Sequence, residues 1–274
     1  ILAGSPSSCW AWVRLSDDQA TDEKSQKLDI DYCDEQGVVF ASLRGLSTLS
    51  LSTDSLKAND SGKITHFTGQ EFYLADHGGM LPGVIHLELA RQASEAEVHG
   101  LREVSWNRPI WVDDSGLDVH TVLANSDAQD RFEIKVGDEV HAQGLLSFER
   151  QATPASVSLT DIRKSCAETL GPVACQQRLD GLHGPRLFSV RELRYSQDEA
   201  LALLECPSDE AHDFRSDPAM LNGVLLTSVI FSLVNNPDGS PPFPFSLDRV
   251  DYFAPLPQRA YAYLRRSAHG KEGA

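Results

Sequence analysis

The sequence predicts an α+β fold in which two strand-rich halves each wrap one central helix. Short β-type runs bounded by turn residues dominate the chain, and only two segments carry a substantial helical pattern. The second of these is apolar nearly all round (Met220, Leu221, Val224, Leu225, Leu226, Val229, Ile230, Phe231, Leu233, Val234). A helix of that kind is enclosed on every side.

The elements follow in order. Cys9 to Leu15 reads as a strand, as do Lys27 to Tyr32 and Val38 to Leu43, with Asp34-Glu35-Gln36-Gly37 as the turn between the latter two. Ser47 to Lys63 is rich in Ser, Thr, Asp and Asn and reads as a linker. Strands are expected around Gln70 to Leu74, Leu101 to Trp106, Leu117 to Leu123, Asp130 to Val136 and Glu139 to Phe148, before a polar stretch from Glu149 to Ser158. The second half repeats the style at Leu187 to Tyr195, Ala200 to Glu205, Phe245 to Phe253 and Arg259 to Arg266. The first helix follows Pro82-Gly83 and runs to about Ala93. The second follows Asp217-Pro218 and runs to about Asn235, with Asp217 suited to the N-cap and Pro218 to the first helical position.

Composition excludes several classes of function. A net charge of -16 over 274 residues opposes a nucleic-acid partner and an anionic membrane surface. The longest apolar run, Val224 to Val234, is interrupted by Thr227, Ser228 and Ser232, so no membrane span is expected. The start, Ile1-Leu2-Ala3-Gly4, has no basic region of a signal peptide. Five cysteines with no CxxC pair fit a reducing cytoplasm and argue against a disulfide scaffold or zinc site. Cys166, Cys175 and Cys206 lack metal-ligand spacing, and no metal site is expected. Neither a dinucleotide fingerprint nor a phosphate-binding loop occurs.

The strongest local signal is Phe72-Tyr73-Leu74-Ala75-Asp76-His77, Gly78-Gly79-Met80 and Leu81-Pro82-Gly83. A histidine closes a strand and a helix opens shortly after it. Free backbone N–H groups at that helix end can polarise a thioester carbonyl. A histidine beside it can move protons at the neighbouring carbons or hydroxyls. The plain alternative is a surface histidine in a Gly-rich turn. His86, among apolar residues of the first helix, reads as a packed histidine, and Thr227 and Ser228 read as core packing.

Leu74-Ala75-Asp76-His77 with Leu81-Pro82-Gly83-Val84 and Leu87-Glu88-Leu89-Ala90 resembles the first active-site motif of polyketide synthase dehydratase domains. Further matches come in the family's order: Val104-Ser105-Trp106-Asn107-Arg108-Pro109, His141-Ala142-Gln143-Gly144, His183-Gly184-Pro185 and Asp217-Pro218-Ala219-Met220-Leu221-Asn222-Gly223. Pro244-Phe245-Ser246-Leu247 and Ala254 to Tyr263 resemble its closing strands, and the resemblance covers about residues 66 to 266. It implies a double-hotdog fold and His77 as catalytic residue. It also implies a substrate on the phosphopantetheine of an acyl carrier protein, with no other cofactor. Pro82, Gly83, His183 and Leu226 would line the substrate site.

The departures narrow the function. Where dehydratases carry an aspartate that helps expel the β-hydroxyl, this chain has Asn222, whose amide does not titrate. One turn later stands Leu226 in place of the family's usual Gln or His. The loop from His77 to Pro82 is shorter than the family pattern, and His183 replaces a tyrosine. A site with the histidine but without the acid resembles a pyran synthase domain of trans-acyltransferase assembly lines, which closes an oxygen ring by oxa-Michael addition in antibiotic biosynthesis. An enoyl isomerase is the alternative resemblance, and a dehydratase-like spacer without catalysis is the third reading.

Trp10-Ala11-Trp12-Val13-Arg14-Leu15, Leu28 to Gly37 and Leu43 to Leu46 resemble the tail of a dehydratase-like domain, and Tyr261 to Arg266 resembles the same strand as Trp10 to Leu15. The expected division is a tail-like segment at 1–46, a first hotdog half at 47–160 and a second at 161–274. The tail strands are expected to close sheet edges, here or in a neighbour. An upstream dehydratase, other synthase domains and a second copy of the chain are the expected partners.

Overall fold

A computed structural model describes residues 9–14, 27–49, 62–68, 74, 78–126, 129–179, 184, 186–207, 214–237 and 242–265. Its elements are β1 (Cys9–Arg14), β2 (Lys27–Asp34), β3 (Val39–Leu49), β4 (Gly62–Phe67), α1 (Gly83–Ala93), β5 (Gly100–Trp106), β6 (Leu117–Ser126), β7 (Gln129–Val136) and β8 (Glu139–Ser147). The second part holds α2 (Leu159–Ser165), β9 (Glu168–Leu170), α3 (Pro172–Arg178), β10 (Val190–Tyr195), β11 (Glu199–Glu205), α4 (Pro218–Asn235), β12 (Phe243–Tyr252) and β13 (Arg259–Arg265).

All the described strands join one sheet in the order β4-β6-β7-β8-β5-β12-β3-β2-β1-β13-β11-β10-β9. α1 packs on β6, β7 and β8, α4 packs on β10, β11 and β13, and the two helices touch each other. This is the double-hotdog arrangement expected from the motifs. Both expected long helices occupy the expected residues.

The N-terminal strands differ from expectation in their place. β2 and β3 form, but in the middle of the sheet, between β12 and β1, and not at an edge. The reason is burial: Leu28, Ile30, Tyr32, Phe40, Leu43 and Leu46 all join the main core. β1 pairs with β13 in parallel, Ala11 opposite Ala262 and Arg14 opposite Arg265, so the two strands of similar sequence lie side by side in matching register. Strand pairing also crosses the line between the expected halves, because β12 pairs with β5 as well as β3.

Two glycines are required by their surroundings. Gly45 has φ 64°, and a Cβ there would lie 2.0 Å from Asp248 Oδ2. Gly37 turns the β2–β3 hairpin at φ 81°, with Asp34 Oδ1 accepting from Gln36 N at 2.8 Å and Val38 N at 2.9 Å. The polar stretch after β8 folds back onto this turn, Val157 N donating to Gly37 O. Two short helices and β9 lie in segments where no element was expected, and β4 begins within the presumed linker. Such short elements bury few residues and leave a weak periodic signal.

α4 is long and apolar enough to cross a membrane, a property the sequence reading did not assign to it. Its side chains from Pro218 to Phe231 are buried inside the protein, which accounts for that composition.

Candidate active site

The entry to α1 is built from small residues and backbone. Gly78 (φ 65°) and Gly79 (φ 84°) both take the left-handed conformation open to glycine. Gly79 N donates to Leu74 O at 2.8 Å, and a Cβ on Gly79 would sit 2.9 Å from Val112 O. The segment is then clamped to 110–112: Leu81 N donates to Ile110 O and Val112 N to Gly79 O, both at 2.8 Å. The short loop after His77 is thus pinned on its helix side. His77 itself, with Ala75 and Asp76, lies outside the described residues, and so does His183.

Pro82 is buried and stands at the N-cap of α1 with no side-chain cap, and the first turn holds no acidic residue. Proline offers no side-chain acceptor, and of the first-turn N–H groups Ile85 N donates to Pro82 O at 2.9 Å. Among the described residues nothing accepts from Gly83 N–H. Gly83 O instead accepts from the Trp106 indole at 2.9 Å. A Cβ at Gly83 would lie 3.1 Å from the indole nitrogen, so the residue suits a close approach.

Asn222 lies in the second turn of α4 and is 3% exposed. Its amide Nδ2 has no hydrogen-bond partner among the described residues. Burying such a donor costs about 1–3 kcal/mol, so its retention calls for an account. Leu226, one turn on, is fully enclosed and has nothing to offer the amide. The neighbouring hydroxyls satisfy themselves: Thr227 donates to Gly223 O at 2.8 Å and Ser228 to Leu225 O at 2.7 Å. They are core residues, as expected.

The first turn of α4 is held from several sides. Asp217 caps it, accepting from Ala219 N at 2.8 Å and Met220 N at 3.2 Å. Ser189 donates to Ala219 O at 2.8 Å, and Tyr32 donates to Met220 O at 3.3 Å. Gly223 permits the approach of Ser189, just before β10, whose Oγ a Cβ there would meet. Glu88 and Arg91 on α1 reach Ser216 at its entry. Of these supports the sequence singled out Asp217 as the N-cap, but not Ser189, Tyr32, Arg91 or Ser216. The buried Glu88 within an apolar helical pattern was the available signal.

His86 is buried in the core, and both its ring nitrogens are unpartnered among the described residues. Burial, with some help from nearby His141, pushes its pKa down to about 3. His141 is itself lowered by burial, and its Nδ1 lies 3.1 Å from Pro109 O. Both stay neutral at pH 7. Burial pushes the Cys166 and Cys175 thiols up to about 12, so neither is a nucleophile. No group of His, Cys, Asp and Glu suited to a metal occurs among the described residues.

Comparisons with known proteins agree with this architecture. The family model for the polyketide synthase dehydratase domain matches residues 51–139. Polyketide synthase PksM of Bacillus subtilis is 29% identical over 238 residues, covering 75% of this chain and 6% of that protein. The chain therefore spans a small part of the long synthase it matches. Among solved structures, a pyran synthase domain from module nine of the sorangicin pathway is 25% identical with a TM-score of 0.70, covering 82% of this chain and 89% of that one. A trans-AT dehydratase domain from Brevibacillus brevis is 26% identical with a TM-score of 0.69, covering 82% and 87%. In fold, in the order of its motifs and in these likenesses the chain is similar to polyketide synthase dehydratase-type domains.

Proposed function

We propose that this domain closes an oxygen heterocycle by intramolecular oxa-Michael addition on a carrier-bound α,β-unsaturated thioester. The observation that carries the reading is Asn222: an amide stands where the resemblance puts a dehydratase's acid, and its buried Nδ2 has no hydrogen-bond partner among the described residues. An amide can hold a hydroxyl or an enoyl chain but cannot deliver the proton that expels water. Ring closure expels nothing.

In this mechanism the chain arrives on the phosphopantetheine arm of an acyl carrier protein. Gly83 N–H, at an uncapped helix end, donates to the thioester oxygen and steadies the enolate that forms. His77 takes the proton of the attacking hydroxyl as the oxygen bonds to the β-carbon. It then returns a proton to the α-carbon, so the atoms of substrate and product balance. Asn222 orients the hydroxyl-bearing chain, with Leu226 as apolar wall, and His183 is expected to border the substrate. The likeness to the sorangicin pyran synthase domain supports this reading.

The test offers three substrates as pantetheine thioesters in heavy water: a hydroxylated enoyl chain, a simple enoyl chain and a saturated β-hydroxyacyl chain. Cyclisation of the first is expected, without loss of water from the third. Robust dehydration with no ring overturns the proposal. Deuterium at the γ-carbon of the second without ring closure assigns the domain as an isomerase.

A further inference from the structure

We propose that Glu88 and Arg91 are positioning residues whose buried ion pair sets the offset between Gly83 on α1 and Asn222 on α4. The inference rests on the assignment of those two residues to one site.

Glu88 is wholly buried and Arg91 nearly so. Taking both charges out of water is costly, and replacing such a pair by apolar side chains of similar volume is often neutral or stabilising. Stability alone therefore accounts poorly for the pair. Its contacts point elsewhere. One oxygen of Glu88 pairs with Arg91, and the other accepts from Ser216 N at 3.2 Å. Arg91 donates to Ser216 Oγ at 3.3 Å, and its guanidinium lies 3.7 Å over the ring of Tyr252 on β12. Ser216 immediately precedes Asp217, the N-cap of α4.

Two short arms carry this link. Gly83 to Glu88 is five helical steps, about 7.5 Å at 1.5 Å per residue. Ser216 to Asn222 is six steps of chain, helical from Pro218 onward. The other supports of the first turn of α4, Ser189 and Tyr32, tie it to β10 and β2. Among the described contacts, Glu88 and Arg91 are the polar tie from α1 to that turn. Moving Ser216 relative to Glu88 carries Asn222 along relative to Gly83. A misplacement of about 1 Å at reacting groups can lower a rate about a hundredfold.

The experiment uses the full chain with two variants. The double variant Glu88→Leu/Arg91→Leu removes both charges and orphans neither. Glu88→Asp keeps the charge and shortens the tie by one methylene. Melting, the Gly83–Asn222 separation in crystal structures, and kcat and KM for the hydroxy-enoyl pantetheine thioester are compared with the parent. Both variants are expected to fold, to alter the separation, and to lose about ten- to a hundredfold in kcat with little change in KM. Unchanged separation and unchanged kcat in a folded variant overturn the proposal. If the double variant does not fold, Glu88→Asp decides by the same criteria. A parent protein that does not cyclise the thioester, with a separation that still moves, leaves the positioning role standing and removes the proposed reaction.

Discussion

The two central helices hold similar places in their halves of the sheet and handle their polar groups in opposite ways. α4 is capped by Asp217, and its hydroxyls bond to its own carbonyls. α1 starts at Pro82 without a side-chain cap and buries a histidine, a glutamate and an arginine. Among the described residues, the exception on α4 is the Asn222 amide, and on α1 it is the open N–H of Gly83 with the unpartnered ring of His86. The contrast shows where each helix departs from what its own stability would select. An open helix end and an orphan amide both favour a ligand, whereas the self-bonded Thr227 and Ser228 favour only packing.

The comparison breaks most sharply at His77, six positions before α1 in the sequence. His77→Ala should lower turnover of any accepted thioester by about a hundred- to ten-thousandfold, the usual worth of a proton carrier. Asn222→Ala should lose a hydrogen bond of roughly 1 kcal/mol, about fivefold in kcat/KM. Equal losses in steady-state assays would collapse the proposed division of roles.

Charge burial on α1 gives the next effect. Arg91→Leu leaves Glu88 charged in the core and should cost roughly 3–5 kcal/mol in denaturant unfolding. No comparable loss is expected from a single polar side chain of α4, such as Thr227→Val.

Acid should act through α1. His86 binds a proton with pKa 6.5 when unfolded but about 3 when folded. Unfolding therefore takes up a proton as pH falls below about 6.5. Stability is level above that pH, declines towards pH 3, and its contribution is on the order of 3–5 kcal/mol by the end of that window. His86→Leu should flatten this part of the curve, and an unchanged acid slope in that variant would assign it to other groups.

Two smaller substitutions sharpen the picture of α4. Gly223→Ala forces a methyl against Ser189 Oγ and should destabilise by about 1–3 kcal/mol, read as a lower Tm. Asn222→Leu removes the orphan donors at similar volume. It should raise stability by about 1 kcal/mol while lowering activity. A fall in both would mean that the amide has a structural partner.

Long-range apolar periodicity made the two helices legible in the sequence, since Met220 to Val234 has no polar face and Asp217-Pro218 marks its start. The hairpin at Asp34 to Gly37 was legible because its turn chemistry is local. Ordered motifs singled out Gly83 and Asn222 as candidate site residues. The destination of β1–β3 was not, because strand alternation specifies a buried face and not a neighbour. A strand pattern reads the same in the centre of a sheet and at its margin. What only the tertiary structure decided are the long-range matters: that β3 lies against β12, that β1 and β13 run side by side, and that Glu88 meets Ser216 across 128 residues of chain. Local sequence determines conformation through short-range sterics and hydrogen bonds. Which buried charge finds which backbone N–H depends on how the whole core closes.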